Sequence, residues 1–196
     1  MFITTDIRVL DDLLTPPLKA QLYETIAWLP MYFLNRSARY QTDSMDIHWY
    51  YPLAIVDESY TEDVEHKLMA LDDSLVCVKD AWALIKKHVQ NDLRLYECMV
   101  SANTFGTEGH IHHDVPERAP REKHLTILVY CNKEWKMDWA GETLFFDEQG
   151  EVNAAVIPKP GRVLICKGDP VHVGRSVSRI CPTDRRVLVF KAWLEA

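Results

Sequence analysis

In the first half of the chain, hydrophobic residues recur at the three-and-four spacing of amphipathic helices. The first stripe follows Thr15-Pro16-Pro17, where Thr15 can cap a helix and a proline suits its first turn. That stripe consists of Leu18, Leu22, Ile26 and Leu29. The helix should end near Pro30, and two more helices are predicted over residues 61–71 and 79–92.

From Leu93 onward the hydrophobic pattern changes towards a period of two, which is typical of strands. Glycines and prolines mark the turns, so that strands are predicted at about 94–104, 110–114, 123–131, 142–147, 152–158, 162–166, 171–175 and 185–193. Residues 2–14 should form a short strand or an extended segment. The aromatic-rich segment 31–59 should form irregular strands whose register the sequence does not reveal.

Helices followed by about eight short strands predict an α+β fold whose sheet part is a sandwich or a barrel. The 196 residues fit one domain. We expect that domain to span 1–196, with a helical and aromatic-rich part over about 1–93 and a strand core over about 94–193.

The most distinctive chemistry lies in His112-His113-Asp114. In an extended strand residues i and i+2 point the same way, so His112 and Asp114 would converge on one point while His113 faces the other side. They supply two of the three ligands of a 2-His-1-carboxylate facial triad, a site for non-haem Fe(II). His172 is the best candidate for the third ligand. His110 shares the alternation and is an alternative ligand, and a surface strand end is the plain structural reading of the whole stretch.

A second distinctive residue, Arg185, begins the apolar run Val187–Phe190. The ordered set of His-x-Asp, a distant histidine and a strand arginine resembles the Fe(II)/2-oxoglutarate-dependent dioxygenases, in particular their prolyl-4-hydroxylase-like branch. The segments Ala140–Phe145 and Pro160–Ile165 are similar to two further motifs of that branch. The resemblance covers roughly residues 95–193.

This resemblance implies a double-stranded β-helix, or jelly roll, with the N-terminal helices packed on its major sheet. It implies a dioxygenase that hydroxylates an unactivated C–H bond and releases succinate and CO2. The cofactors would be Fe(II) and 2-oxoglutarate, with O2 as co-substrate and ascorbate as an optional addition. The implied metal ligands, which would also be the catalytic residues, are His112, Asp114 and His172.

The resemblance also implies an arginine that binds the C5 carboxylate of 2-oxoglutarate. The planar guanidinium fork of arginine suits a carboxylate, and Arg185 has the better spacing. Its neighbour Arg186 stays open as the alternative, because adjacent strand residues face opposite sides. Asn103, Thr126 and Tyr130 are further candidates around the cosubstrate, and each is equally well explained as an ordinary polar core residue.

Composition and charge limit the classes of partner that the protein can bind. The net charge of −7 argues against nucleic acid, whose phosphates require a basic surface. No apolar stretch approaches the length of a membrane span, and we expect a cytoplasmic protein. The five cysteines have no C-x-x-C spacing, so neither a disulfide framework nor a zinc ribbon is indicated. Residues 159–191 are rich in bases, which fits either an anionic ligand or a solvated face that balances the acidic N-terminal part.

The favoured substrate is a small molecule, anionic or amino-acid-like, that meets the segment 32–51 and the loop 115–122. A prolyl or peptidyl hydroxylase is the alternative within the same chemistry. Two readings without catalysis also stay open: a cupin-like module that binds a metal or a ligand, and an oligomeric structural protein. Nothing in the sequence indicates the oligomeric state.

Overall fold

A computed structural model describes residues 2–4, 6–36, 47–55, 62–90, 92–115 and 119–195. The α-helices in this part of the chain are α1 (Pro16–Ala27), α2 (Glu65–Met69) and α3 (Val76–Val89). The strands are β1 (Phe2–Thr4), β2 (Ile7–Leu10), β3 (Tyr32–Arg36), β4 (Ile47–Ile55), β5 (Leu93–Asn103), β6 (His124–Tyr130), β7 (Thr143–Phe146), β8 (Val152–Val156), β9 (Val163–Lys167), β10 (His172–Gly174) and β11 (Arg185–Leu194).

The strands form two antiparallel sheets. The major sheet has eight strands in the order β1-β2-β9-β6-β11-β5-β4-β3, and the minor sheet has three in the order β10-β7-β8. The expected α+β fold with a jelly-roll core is confirmed: after β6 the chain passes to the minor sheet for β7 and β8, returns to the major sheet with β9, and crosses once more for β10 before β11. Among the described residues, no helix is both long enough and apolar enough to cross a membrane.

A separate hydrophobic core covers each face of the major sheet. Because side chains alternate along a strand, Leu188 and Phe190 of β11 face the helices, whereas Val187 and Val189 face the minor sheet. The helical core includes Trp82 of α3, whose ring lies 5.3 Å from that of Phe190. The helices therefore pack on the major sheet as expected, and the space between the sheets is left for the pocket.

The helix predictions were correct in place and partly wrong in extent. Helix α1 begins and ends close to prediction, and the Thr15 hydroxyl accepts a hydrogen bond from the Leu18 N–H at 3.4 Å. Helix α2 is shorter than predicted because Asp63 accepts a hydrogen bond from the Glu65 N–H at its start. Asp72 then caps a separate 3₁₀ turn that leads directly into α3, which begins three residues earlier than expected.

One strand prediction was wrong. Residues 110–114 do not form a strand, because only His112 makes a bridge to a neighbouring strand residue, His172. The strands expected within 2–14 and 31–59 are present, in the described part of those segments, as β1 to β4, which extend both edges of the major sheet. Residues 37–46 of the predicted substrate segment and residues 116–118 of the predicted loop lie outside the described residues.

Candidate active site

A pocket opens between the two sheets, and the central strands of the major sheet form its wall. Alternate residues of β11 line it in the order Arg185, Val187, Val189 and Lys191. Their cross-strand neighbours on β5 are Asn103, Ser101, Met99 and Glu97. The pocket wall is therefore charged at both ends and mainly apolar in the middle, with its two ends about 20 Å apart at ~3.3 Å per strand residue.

Three side chains that could hold a metal ion meet over this wall. His112, Asp114 and His172 each offer a ligand atom, and these atoms all lie within 4.8 Å of one another. The Nε2 atoms of the two histidines lie 3.8 and 3.7 Å from the Asp114 carboxylate oxygens. The backbones of His112 and His172 exchange two hydrogen bonds of 3.0 Å, which holds their rings side by side. The three residues predicted as metal ligands therefore lie together, although they come from a loop and from a minor-sheet strand.

Both histidines of this group are oriented by their other ring nitrogen. The Nδ1 of His112 lies 2.5 Å from the carbonyl oxygen of His110, and the Nδ1 of His172 lies 2.9 Å from that of Pro170. A carbonyl only accepts, so each Nδ1 carries the proton and each Nε2 presents a lone pair to the shared centre. Burial lowers the pKa of His172 to about 4, which keeps its imidazole neutral as a metal ligand requires. His110, the alternative ligand, contributes its carbonyl oxygen.

The Asp114 carboxylate is held by two groups of the major sheet. Thr126 donates its hydroxyl to Oδ2 at 2.5 Å, and the Lys191 ammonium lies 2.7 Å from Oδ1. Burial alone would raise the pKa of the Asp114 carboxyl, but the charge of Lys191 and the nearby histidines outweigh it and hold the pKa well below its usual range. Asp114 is therefore a carboxylate at neutral pH, and Thr126 contacts this ligand instead of the arginine end.

Lys191 and its partner Glu97 were missed from the sequence. Their charged groups lie 3.2 Å apart, both side chains are largely buried, and both line the pocket. Their position in the sequence could have identified them. Each is a charged residue within a predicted strand, and Lys191, an even number of residues after Arg185, lies on the same face of that strand. A charged residue inside an apolar strand run indicates a polar cavity on that face.

Arg185 occupies the other end of the pocket and is 3 % exposed. It donates to the Asn103 side-chain oxygen at 3.3 Å and to the Thr143 hydroxyl at 2.8 Å, and its guanidinium lies 5.2 Å from the centre of the Tyr130 ring. Its Nε is buried without a hydrogen-bond partner, and no carboxylate of the described residues forms an ion pair with it. A buried guanidinium of this kind is suited to an anionic ligand.

Arg186 lies on the opposite face of the sheet. It forms an ion pair with Asp184 at 2.8 Å and donates to the carbonyl oxygen of Ile26 at the end of α1. Its charge is therefore used to attach β11 to the helices. Thr143 contacts Arg185, and its hydroxyl shares a hydrogen bond of 2.8 Å with the Tyr130 hydroxyl. The sequence did not single out Thr143, because its strand belongs to the minor sheet.

The remaining histidines of the region have structural partners. The Nδ1 of His113 lies 2.7 Å from the Asp169 carbonyl oxygen, on the side away from the pocket. His124 is fully buried, and its Nε2 lies 2.7 Å from the Tyr96 hydroxyl.

The donor set fits the group that the sequence resemblance implies. Two imidazoles and one carboxylate on the same side of a centre form a facial triad for Fe(II) with open positions on the other side. The orphaned Nε and the Nη donors of Arg185 fit a carboxylate such as that of 2-oxoglutarate. These residues would allow one pocket to hold both the metal and the oxo acid.

Comparison with known proteins agrees with this geometry. The family model of the 2OG-Fe(II) oxygenase superfamily matches residues 98–194, which include the three candidate ligands and Arg185. A search of curated proteins gives no match.

Solved structures share the fold at low sequence identity. An oxidoreductase of the 2OG-Fe(II) oxygenase family from Burkholderia pseudomallei has a TM-score of 0.68 and 12 % identity, over 96 % of this chain and 85 % of that one. A prolyl hydroxylase from Trichoplax adhaerens, in complex with a peptide fragment of hypoxia inducible factor, has a TM-score of 0.61 and 15 % identity, over 97 % and 84 %. A prolyl-4-hydroxylase from Pseudomonas putida has a TM-score of 0.60 and 15 % identity, over 98 % and 95 %.

Gly141 tests how closely Arg185 is packed. Its φ is +81°, and an added Cβ would lie 3.0 Å from both Arg185 Cδ and Trp135 Cζ2. Gly141→Ala should lower the free energy of unfolding by about 1–2 kcal/mol for the left-handed backbone and by a further ~1–3 kcal/mol for overpacking. Urea unfolding measures this loss.

Gly150→Ala is the matched control, since Gly150 has a φ of +82° and no atom within 4 Å of an added Cβ. Gly150→Ala should lower the free energy of unfolding only by the ~1–2 kcal/mol of the left-handed backbone. Equal losses in the two variants would mean that the space around Arg185 adapts freely.

Proposed function

Because the chain belongs to the 2OG-Fe(II) oxygenase superfamily and is a dioxygenase that depends on Fe(II) and 2-oxoglutarate, we propose that it hydroxylates an unactivated C–H bond of a small substrate. The substrate is anionic or amino-acid-like, and the co-products are succinate and CO2. Residues 1–196 act as one domain, in which His112, Asp114 and His172 bind the iron and Arg185 anchors 2-oxoglutarate. The five free cysteine thiols support a reducing, cytoplasmic location.

The observation that carries this proposal is the convergence of the three ligand atoms with both imidazole Nδ1 atoms already bonded to backbone carbonyls. Hydrogen bonds of this kind fix the tautomer and the direction of a metal-binding histidine. Two imidazoles and one carboxylate with their ligand atoms within 4.8 Å of one another, and with both rings fixed by backbone carbonyls, are the arrangement that a metal site requires. The non-catalytic structural protein is therefore the weaker reading.

The chain's own residues bind and orient the reactants. When bound, Fe(II) and 2-oxoglutarate would activate O2 for oxidation of the substrate, whereas the protein supplies binding and orientation. Arg185 holds the distal carboxylate, and Asn103 and Thr143 hold Arg185 in place. Tyr130 stacks its ring against the guanidinium and excludes water from that side. Val187 and Val189 provide the apolar wall between the arginine and the metal ligands.

The proposed substrate class is supported by the charged wall at the metal end of the pocket. Glu97 and Lys191 form a buried ion pair there, and burying two charges costs several kcal/mol per ion that their attraction only partly offsets. Lys191 also holds Asp114, whereas Glu97 has no contact with the candidate metal ligands among the hydrogen bonds and ion pairs described and is the charge that a substrate ammonium could contact. A substrate with an ammonium and a carboxylate can contact Glu97 and Lys191 in turn, which favours an amino-acid-like molecule.

The first prediction from the proposed function concerns the metal ligands. The wild-type chain should bind one Co(II), used as a spectroscopic substitute for Fe(II), and His112→Ala, Asp114→Ala and His172→Ala should each abolish this binding because a facial triad needs all three ligands. Absorption titration under anaerobic conditions measures it. His110→Ala is the matched control and should bind Co(II) normally. Wild-type affinity in His172→Ala would show that the third ligand has been assigned wrongly.

The second prediction separates the two arginines. Arg185→Lys should weaken 2-oxoglutarate binding to the Mn(II)-loaded protein by roughly 1.5–3 kcal/mol, about tenfold to a hundredfold, since an ammonium cannot replace the guanidinium fork. Arg186→Lys changes the same residue type on the opposite face and should leave the affinity nearly unchanged. Calorimetry measures both dissociation constants. The reverse ranking would place the carboxylate on the helical side of β11.

The third prediction concerns the substrate. Release of succinate from 2-oxoglutarate should be stimulated by members of a panel of free amino acids and small carboxylates. Glu97→Gln should raise the KM of the active substrate about tenfold, because it removes one charged contact, and should leave 2-oxoglutarate affinity unchanged. Met99→Leu, an apolar change on the same strand, is the control. Stimulation by proline-containing peptides alone would favour the peptidyl hydroxylase instead.

A further inference from the structure

Asp169 is a buried carboxylate outside the proposed metal ligands that contacts both ligand-bearing segments. It lies three residues before His172, and its side chain is 0 % exposed. It also lies beneath the loop that carries His112 and Asp114. No sequence pattern singled it out, because its partners are more than fifty residues away along the chain.

The Asp169 carboxylate binds the backbone on the C-terminal side of this loop. Its Oδ1 accepts a hydrogen bond from the Asp114 N–H at 2.6 Å, and its Oδ2 accepts one from the Val115 N–H at 3.3 Å. The Arg121 Nε lies 3.3 Å from Oδ2 and neutralises the charge. The Asp169 carbonyl oxygen accepts from the His113 ring. One residue therefore holds three consecutive positions, 113 to 115.

These contacts replace strand pairing that the loop lacks. Residues 110–114 have a single bridge to the sheet, at His112, and the next amides along the chain would be buried without partners. A buried amide without a hydrogen bond costs about 1–3 kcal/mol. The Asp169 side chain satisfies two such amides and so determines where the backbone of Asp114 lies.

The backbone of Asp169 is left-handed. Its φ is +54°, and it follows Gly168 at +82°. Asp and Asn adopt this conformation more readily than other non-glycine residues, because their short polar side chains can hydrogen-bond locally. Here the turn places the carboxylate under the loop and, three residues later, places His172 beside His112. The two ligand-bearing segments are thereby joined through one side chain.

We infer that Asp169 is a positioning residue for the metal site: its carboxylate fixes the Asp114 backbone relative to His172 and so aims the carboxylate ligand. This inference rests on the proposed function, in which Asp114 and His172 are ligands of the same ion. Lys191 and Thr126 contact the carboxylate of Asp114, whereas Asp169 fixes the backbone amide of the same residue.

The test uses two substitutions that tolerate the backbone conformation. Asp169→Gly removes both acceptor oxygens without strain at positive φ, and Asp169→Asn keeps one acceptor at a residue type that also adopts this conformation. Loss of a partner that orients a metal ligand typically weakens metal affinity 10- to 100-fold. We expect Co(II) affinity to fall at least tenfold in Asp169→Gly and less in Asp169→Asn, with an altered visible spectrum of the bound cobalt.

Asp11→Asn is the matched control. Asp11 also pairs with two cations, Lys159 and Arg162 at 2.8 Å each, but it lies in the N-terminal segment away from the pocket. It should lower the melting temperature and leave Co(II) affinity and spectrum unchanged. A folded Asp169→Gly variant whose Co(II) affinity stays within twofold of wild type would overturn the inference. A wild-type chain that binds no Co(II) would instead overturn the proposed function.

Hydrogen exchange of the wild-type chain decides the matter if neither Asp169 variant folds. The amides of Asp114 and Val115 should then exchange as slowly as those of the core strand β6. Exchange at the rate of an open loop would contradict the contact on which the inference depends.

Discussion

The pairing of β5 with β11 is the interaction on which the rest of the structure depends. It runs from Arg185 opposite Asn103 to Leu194 opposite Leu93, with one irregularity next to Lys191. Between Arg185 and Lys191 side chains alternate, so that every second residue packs against the helices and the others face the pocket. A change of register by one residue would move Arg185 and Lys191 to the face that packs against the helices, where burying a charge is costly. The hydrophobic cores therefore set the register, and the register places the charges.

The pocket confines its charges to two ends of an apolar wall. At one end Arg185 has polar neighbours but no acidic partner among the described residues, which leaves it suited to an anion. At the other end Lys191 lies between two carboxylates, those of Glu97 and Asp114. Fixed charges act strongly in such a site, because the charged side chains are buried. The arrangement separates an anion subsite from a metal subsite within one cavity.

The likeness to solved prolyl hydroxylases extends over almost the whole chain, yet at 15 % identity it shows the fold alone. Function in this superfamily must be argued from the site, since one fold supports many reactions. The ionic wall next to the candidate metal ligands is the feature of this chain that bears most directly on its substrate. That wall is built from ordinary strand positions, so a small number of substitutions in the same framework would change what the pocket accepts.

The sequence by itself indicated the two-residue period of the long core strands and the N-cap of α1. It also indicated that His112 and Asp114 converge and that Arg185 and Arg186 face opposite sides, because both depend on the two-residue period of an extended strand. His172 was added as the third ligand through the family resemblance. Only the tertiary structure decided the rest. The strand predicted at 110–114 is a loop, because Asp169 supplies the hydrogen bonds that a neighbouring strand would have supplied. Glu97, Lys191, Thr143 and Asp169 owe their roles to partners distant in sequence, and contacts between distant segments form only when packing brings the strands together.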